Sequence, residues 1–120
     1  MDAVKVYLGP YPEKNEENKE REISIQIDEW DTWNVDITLS KIISNLLRKY
    51  EEKTFSFPAH IDGIVEWKQI LNAMIYSFEE VASDYKNRPD GKNKEEAEDY
   101  NNKLKQGLQL FAEYFFDLWD

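Results

Sequence analysis

Three segments of this 120-residue chain place apolar residues at steps of three and four, and that spacing restricts the fold more than any other feature. In the first, Leu39, Ile42, Ile43, Leu46, Leu47 and Tyr50 fall on one side of a helix with 3.6 residues per turn. The pattern predicts a helix over about 37–52, capped by Asp36 or Thr38, whose oxygens accept from otherwise unpaired N–H groups of the first turn. In the second, Trp67, Ile70, Leu71, Met74, Phe78, Val81, Ala82 and Tyr85 predict a helix over about 63–86, with Asp62 as a candidate cap. Asn87-Arg88-Pro89-Asp90-Gly91 then breaks the chain.

The third segment, with Ala97, Tyr100, Leu104, Leu108, Phe111, Phe115 and Leu118 on one face, predicts a helix over about 93–118. Glu95 and Glu96 in its first turn suit the positive end of the helix dipole. Gly107 falls on the same face, where the missing side chain lets a neighbouring helix come close. Between Phe111 and Trp119 the aromatics run almost all round the helix. Such an end is either buried from several directions or turned on one face toward a partner. Burial within the domain is the expectation, since two small strands also need covering.

Those strands are read at about 3–8, where Val4, Val6 and Leu8 alternate with Lys5 and Tyr7, and at 22–28, where Ile23, Ile25 and Ile27 alternate with polar residues. An antiparallel pair of this size is marginal in water, so its apolar face is expected against the helices. The predicted fold is therefore α+β: a short two-stranded antiparallel hairpin packed on three amphipathic helices, in one domain over 1–120. The polar segment 13–21 and the break at 87–92 are expected to be mobile.

Composition excludes several functions. The chain has no cysteine, which removes disulfides, thiolate catalysis and cysteine-based zinc sites. Its start lacks a charged-then-apolar leader, and no apolar run approaches the roughly 20 residues needed to cross a bilayer, so a soluble intracellular protein without membrane contact is expected. Twenty-five acidic against fifteen basic residues give a net charge of −10, which argues against direct nucleic-acid binding. The acidity is read either as ordinary surface solvation or as a surface that occupies a basic groove on a partner.

Catalytic patterns are sparse. The four glycines form no phosphate-binding loop, and the single histidine, His60, lacks a nucleophile elbow and reads as a surface or capping residue. No catalytic residue, metal site or cofactor is predicted. The segment 28–36 stands out, with four carboxylates and two tryptophans in nine residues and no basic side chain. Asp28, Asp31 and Asp36 read chiefly as caps and solvated charges, and lack the spacing of a calcium loop. Glu79 and Glu80 read as ordinary solvent-facing charges. Trp30 and Trp33 are read either as packing residues or, with one partly exposed, as an anchor for an Arg- or Lys-rich surface. The candidate partner-binding residues are Asp28, Glu29, Trp30, Asp31, Trp33 and Asp36, with Glu95, Glu96, Glu98 and Asp99 as a second acidic group.

Three stretches carry a resemblance: Val4-Lys5-Val6-Tyr7-Leu8-Gly9-Pro10-Tyr11, Ile25-Gln26-Ile27-Asp28-Glu29-Trp30-Asp31-Thr32-Trp33-Asn34, and Gly107 to Asp120 with its Leu110-Phe111-Ala112-Glu113-Tyr114-Phe115 core. With Trp67 to Glu79 between them, they resemble, in order, a family of small proteins encoded by tailed bacteriophages. Members often carry an Asp-His pair where the first helix starts, whereas here Asp36 is followed by Ile37, which weakens the case for a shared metal or catalytic site there. Members also have a longer insertion before the second helix. The resemblance implies a viral protein acting in the host bacterial cytoplasm. Small accessory phage proteins often bind and disable a host factor, CRISPR nucleases and other defences included.

The leading expectation is thus a non-enzymatic inhibitor that meets a basic surface of a host protein. Two other classes stay open. One is a small-ligand or nucleotide-signal binder, with Lys5, Arg21, Lys41 and Arg48 as candidates for one local pocket. The other is a homo-oligomeric virion or assembly factor, marked by a large apolar face on the last helix.

Overall fold

The computed structural model describes residues 5–12 and 20–120. Strands β1 (Lys5–Leu8) and β2 (Ile23–Gln26) pair antiparallel, with Val6 opposite Ile25 and Leu8 opposite Ile23. Four α-helices follow: α1 (Glu29–Trp33), α2 (Val35–Lys53), α3 (Ile64–Ala82) and α4 (Lys94–Tyr114), with a closing 3-10 turn over Phe115–Asp117. The fold is α+β, a hairpin beside a helical layer. The predicted mobile segment lies, over 13–19, outside the described residues, as do residues 3 and 4 of the first predicted strand.

Helix α3 lies between α2 and α4 and runs antiparallel to both. Tyr85 just beyond its end bonds Asp36 at the start of α2, and Glu80 near its end bonds Tyr100 in the second turn of α4. Covered on two sides, α3 buries Trp67, Leu71, Met74 and Ile75 completely. Each such side chain contributes roughly 1.5–3 kcal/mol by leaving water. Trp67 meets Tyr114 edge-on and Phe78 meets Phe111 the same way, which ties α3 to the end of α4. Gly107 behaves as its position predicted: an added Cβ would lie 1.9 Å from Ser77 Oγ and 2.6 Å from the Ala73 carbonyl oxygen.

The helix ends differ from expectation for local reasons. Helix α3 stops at Ala82 rather than near 86, because Asp84 and Tyr85 both adopt positive φ (58° and 57°) and turn the chain aside. Neither Asp36 nor Thr38 caps α2: its N-cap is Asn34, because the preceding residues form α1. Gly63, not Asp62, precedes α3, and the Asp62 N–H donates instead to Glu66.

The predicted apolar faces are also redistributed. Helix α2 presents Ile37, Ser40, Ser44 and Leu47 to the interior, so two of its four buried residues are serines. Leu39 and Leu46, which the sequence places in the same stripe, point outward. On α4 the buried line is Tyr100, Leu104, Gly107 and Tyr114, whereas Leu108 and Phe115 are exposed. The hairpin reaches α2 through Val6 and Leu8, which border a groove with Ile42 and Leu46, but Ile23, Ile25 and Ile27 remain exposed. The aromatic C-terminus is not buried as expected, with Phe115, Phe116 and Trp119 all open to solvent.

A layer of three side-by-side helices explains these departures. With the hairpin beside that layer, the chain has a radius of gyration of 17.2 Å and extents of 61 × 44 × 19 Å. A compact domain of this length has a radius of about 13–14 Å. A thin layer covers its middle helix and leaves broad faces on the outer two.

Candidate functional site

The segment around α1 is built by its own carboxylates. Asp28 is the N-cap, its Oδ1 accepting from the Glu29 N–H at 3.0 Å, while Asp31 Oδ2 accepts from the Asp28 N–H at 2.9 Å in a reciprocal capping box. Thr32 Oγ1 donates to the Glu29 carbonyl at 2.7 Å, and Asn34 Nδ2 donates to the Trp30 carbonyl at 3.1 Å, closing the far end. Thr38 Oγ1 donates to Asp31 Oδ1 at 2.6 Å and so latches α1 to α2. The Thr38 hydroxyl, joined by the backbone bond from Asp28 and the charge of Lys41, outweighs burial and holds the Asp31 carboxyl below its usual range. Asp31 is buried and has both oxygens engaged, so its role is architectural, not contact with a partner.

This small frame separates the two tryptophans. Trp30 is half-buried, with the Lys41 ammonium 6.0 Å from its ring centroid. Trp33 is 73% exposed. One helical turn before it, Glu29 lies on the same side of α1. Asp28, Glu29 and Asp36 are exposed around this corner, and Asp36 Oδ2 accepts from the Tyr85 hydroxyl at 2.8 Å. The corner therefore presents an aromatic plate on a rigid mount with exposed carboxylates beside it.

Glu95, Glu96, Glu98 and Asp99 occupy the first turns of α4, all exposed. Asn93 caps that helix by accepting from the Glu96 N–H. The 4.0 Å pair between Lys94 and Glu98 is exposed on both sides and contributes little. Because Asp36 touches Tyr85 and Tyr100 touches Glu80, both acidic groups lie at the same end of the helical layer.

Between them sits a buried carboxylate that sequence reading placed in solvent. Glu80 accepts from the Asn87 N–H at 2.7 Å, from Asn87 Nδ2 at 2.9 Å and from the Tyr100 hydroxyl at 2.8 Å. Burial alone would raise its pKa, but these donors prevail and hold it below the usual range. The same burial, together with the Glu80 charge, pushes the Tyr100 hydroxyl up to about 12. The signal was weak: Glu80 is one residue from Val81 on the buried side, and its partners lie in a loop and another helix. Its neighbour Glu79 does face outward, where Arg48 meets it at 2.8 Å.

Of the four cations considered for a ligand pocket, Lys5, Arg21, Lys41 and Arg48, the last three have separate partners. Arg48 bonds Glu79 and Asn72, Arg21 donates to the Gly9 carbonyl and lies over the Tyr11 ring, and Lys41 faces Trp30. His60 is exposed and stacks on Tyr114, with ring centroids 5.7 Å apart. Among the described residues no three His, Asp or Glu side chains are grouped to hold a metal ion. No described helix is long and apolar enough to cross a membrane. No family model, curated protein or solved structure matches the chain.

Proposed function

We propose that this chain is a protein-binding module of a tailed bacteriophage that inhibits a host defence or nucleic-acid enzyme by docking on a basic surface. The observation that carries the reading is Trp33, a large aromatic held in solvent by a helix fixed at both ends, with Asp28, Glu29 and Asp36 around it. Aromatic anchors ringed by charge of one sign suit Arg- and Lys-rich partners, since the ring takes the guanidinium face and the carboxylates take its N–H groups. A net charge of −10 adds long-range attraction for such a partner. The likeness to phage proteins supports the setting, and the acidic first turns of α4 extend the same end of the molecule.

Affinity capture from bacterial lysate with the tagged protein, washed in rising salt, tests the proposal. A specific host protein with a basic surface, retained at low salt and released as salt rises, is the expected result. Empty capture, or a partner whose retention ignores salt, counts against it.

A further inference from the structure

A second surface, distinct from the acidic corner, is apolar and continuous. Helix α2 carries two apolar stripes: Ile37 and Leu47 face α3, and Leu39, Ile42 and Leu46 face away from it. Ile42 and Leu46 border the groove against Val6 and Leu8 of the hairpin, and they also border a cleft of about 650 Å³ beneath Phe115, Phe116 and Trp119. The two depressions therefore share a wall. Pairing register places Ile23 and Ile25 on the same sheet face as Leu8 and Val6, which extends the tract across the hairpin.

We infer that this tract is a homodimer interface, with a second copy of the chain as its occupant. Three observations select that occupant. First, the exposed side chains of the tract present on the order of 1,000 Å², above the few hundred Å² usual for a monomer patch and close to the roughly 800 Å² per partner of a stable dimer. Second, the patch carries both a projection and depressions. It holds a projecting ring, Phe116 at 87% exposure, and open grooves on the same face, as a two-fold interface requires of one surface meeting itself. Third, among the described residues no carboxylate lines either depression, although the chain has 25 acidic residues; the charges among those lining residues are Lys41 and Lys49. Two copies of a −10 chain meet most easily where neither has a carboxylate to desolvate. The flat shape of the single chain, 19 Å along its shortest axis, fits one half of a two-layer helical assembly.

Light scattering and sedimentation over a wide concentration range test this directly. The expected result is a species of twice the 14.3 kDa chain mass that strengthens with added salt, because salt screens the repulsion between like-charged copies without weakening apolar contact. Leu46→Glu and Phe116→Glu each change an exposed residue and are expected to give monomers that keep the wild-type helical circular dichroism. A wild-type chain that stays monomeric at every concentration overturns the inference, as does a dimer that survives both substitutions. The opposite response to salt separates this interface from the acidic corner, so either reading stands or falls without the other.

Discussion

Ser77 Oγ lies where a Cβ on residue 107 would have to go, and the same hydroxyl donates to the Leu104 carbonyl at 2.9 Å. The contact between α3 and α4 is therefore set by the absence of a side chain on one helix and a small polar one on the other. It fixes how far apart the two helices run, and hence how Tyr100 meets Glu80 one turn further on.

Gly107→Ala should destabilise the fold despite its better helix propensity. The new methyl is only 2.6 Å from the Ala73 carbonyl oxygen, so the helices must separate. Overpacking of this kind costs about 1–3 kcal/mol, more than the roughly 1 kcal/mol that alanine gains over glycine within a helix. Urea unfolding followed by circular dichroism checks the sign: an unchanged or higher midpoint would show that α4 moves freely.

Stability should fall at both ends of the pH scale. The Glu80, Asp31 and Asp120 carboxyls are held below their usual range, so the unfolded chain takes up protons first as pH drops. Their contribution is complete above the unfolded carboxylate range, near pH 4, and disappears below it. Tyr100 acts in the other direction. With its hydroxyl pushed up to about 12, the folded state retains a proton that the unfolded chain loses near pH 10, so stability declines between those values as pH rises. Denaturation midpoints measured across pH should show both declines, and Tyr100→Phe should reduce the alkaline one.

Adjacent leucines on α2 should respond differently. Leu47 is buried against α3, so Leu47→Ala should cost about 2–5 kcal/mol through lost burial and a cavity. Leu46 is exposed, and Leu46→Ala in the single chain should change stability by no more than about 0.5 kcal/mol. Thermal melts at low protein concentration give the comparison, and equal losses would contradict the orientation of α2.

That pair also shows what was legible in the sequence. Helical spacing located all three long helices, and alternation located both strands, because each pattern depends only on backbone period. It does not say which part of a wide apolar stripe meets the neighbour. On α2 the buried side includes Ser40 and Ser44, and polar residues carry little weight in a hydrophobic pattern. Helix α1 went unseen because five residues carry less than two turns of periodicity, although Asp28 and Asp31 held its capping signal. Trp33 was named as one of two candidates, and only packing of the capped corner separated it from Trp30. Glu80 was missed because its burial depends on Asn87 and Tyr100, which reach it through tertiary structure.

Residues of the acidic corner should divide by role. Asp31→Ala removes the capping box and the Thr38 latch, so it should lower the unfolding midpoint. Trp33→Ala, Asp28→Lys and Glu29→Lys alter exposed side chains. The first two should respectively leave the melt nearly unchanged and lower it slightly, since Asp28 also caps α1, and Glu29→Lys should act chiefly on binding. Thermal melts of the four single variants check this division, and a large loss from Trp33→Ala would mean that its ring packs in the fold.

The most direct measurement is capture from host lysate with wild type and a Trp33→Ala/Glu29→Lys variant side by side, after circular dichroism has matched their folds. A basic host protein is expected on the wild type, released by salt and reduced at least tenfold on the variant, a loss of about 1.4 kcal/mol or more. Equal retention on both proteins would contradict the claim that this corner is the binding site.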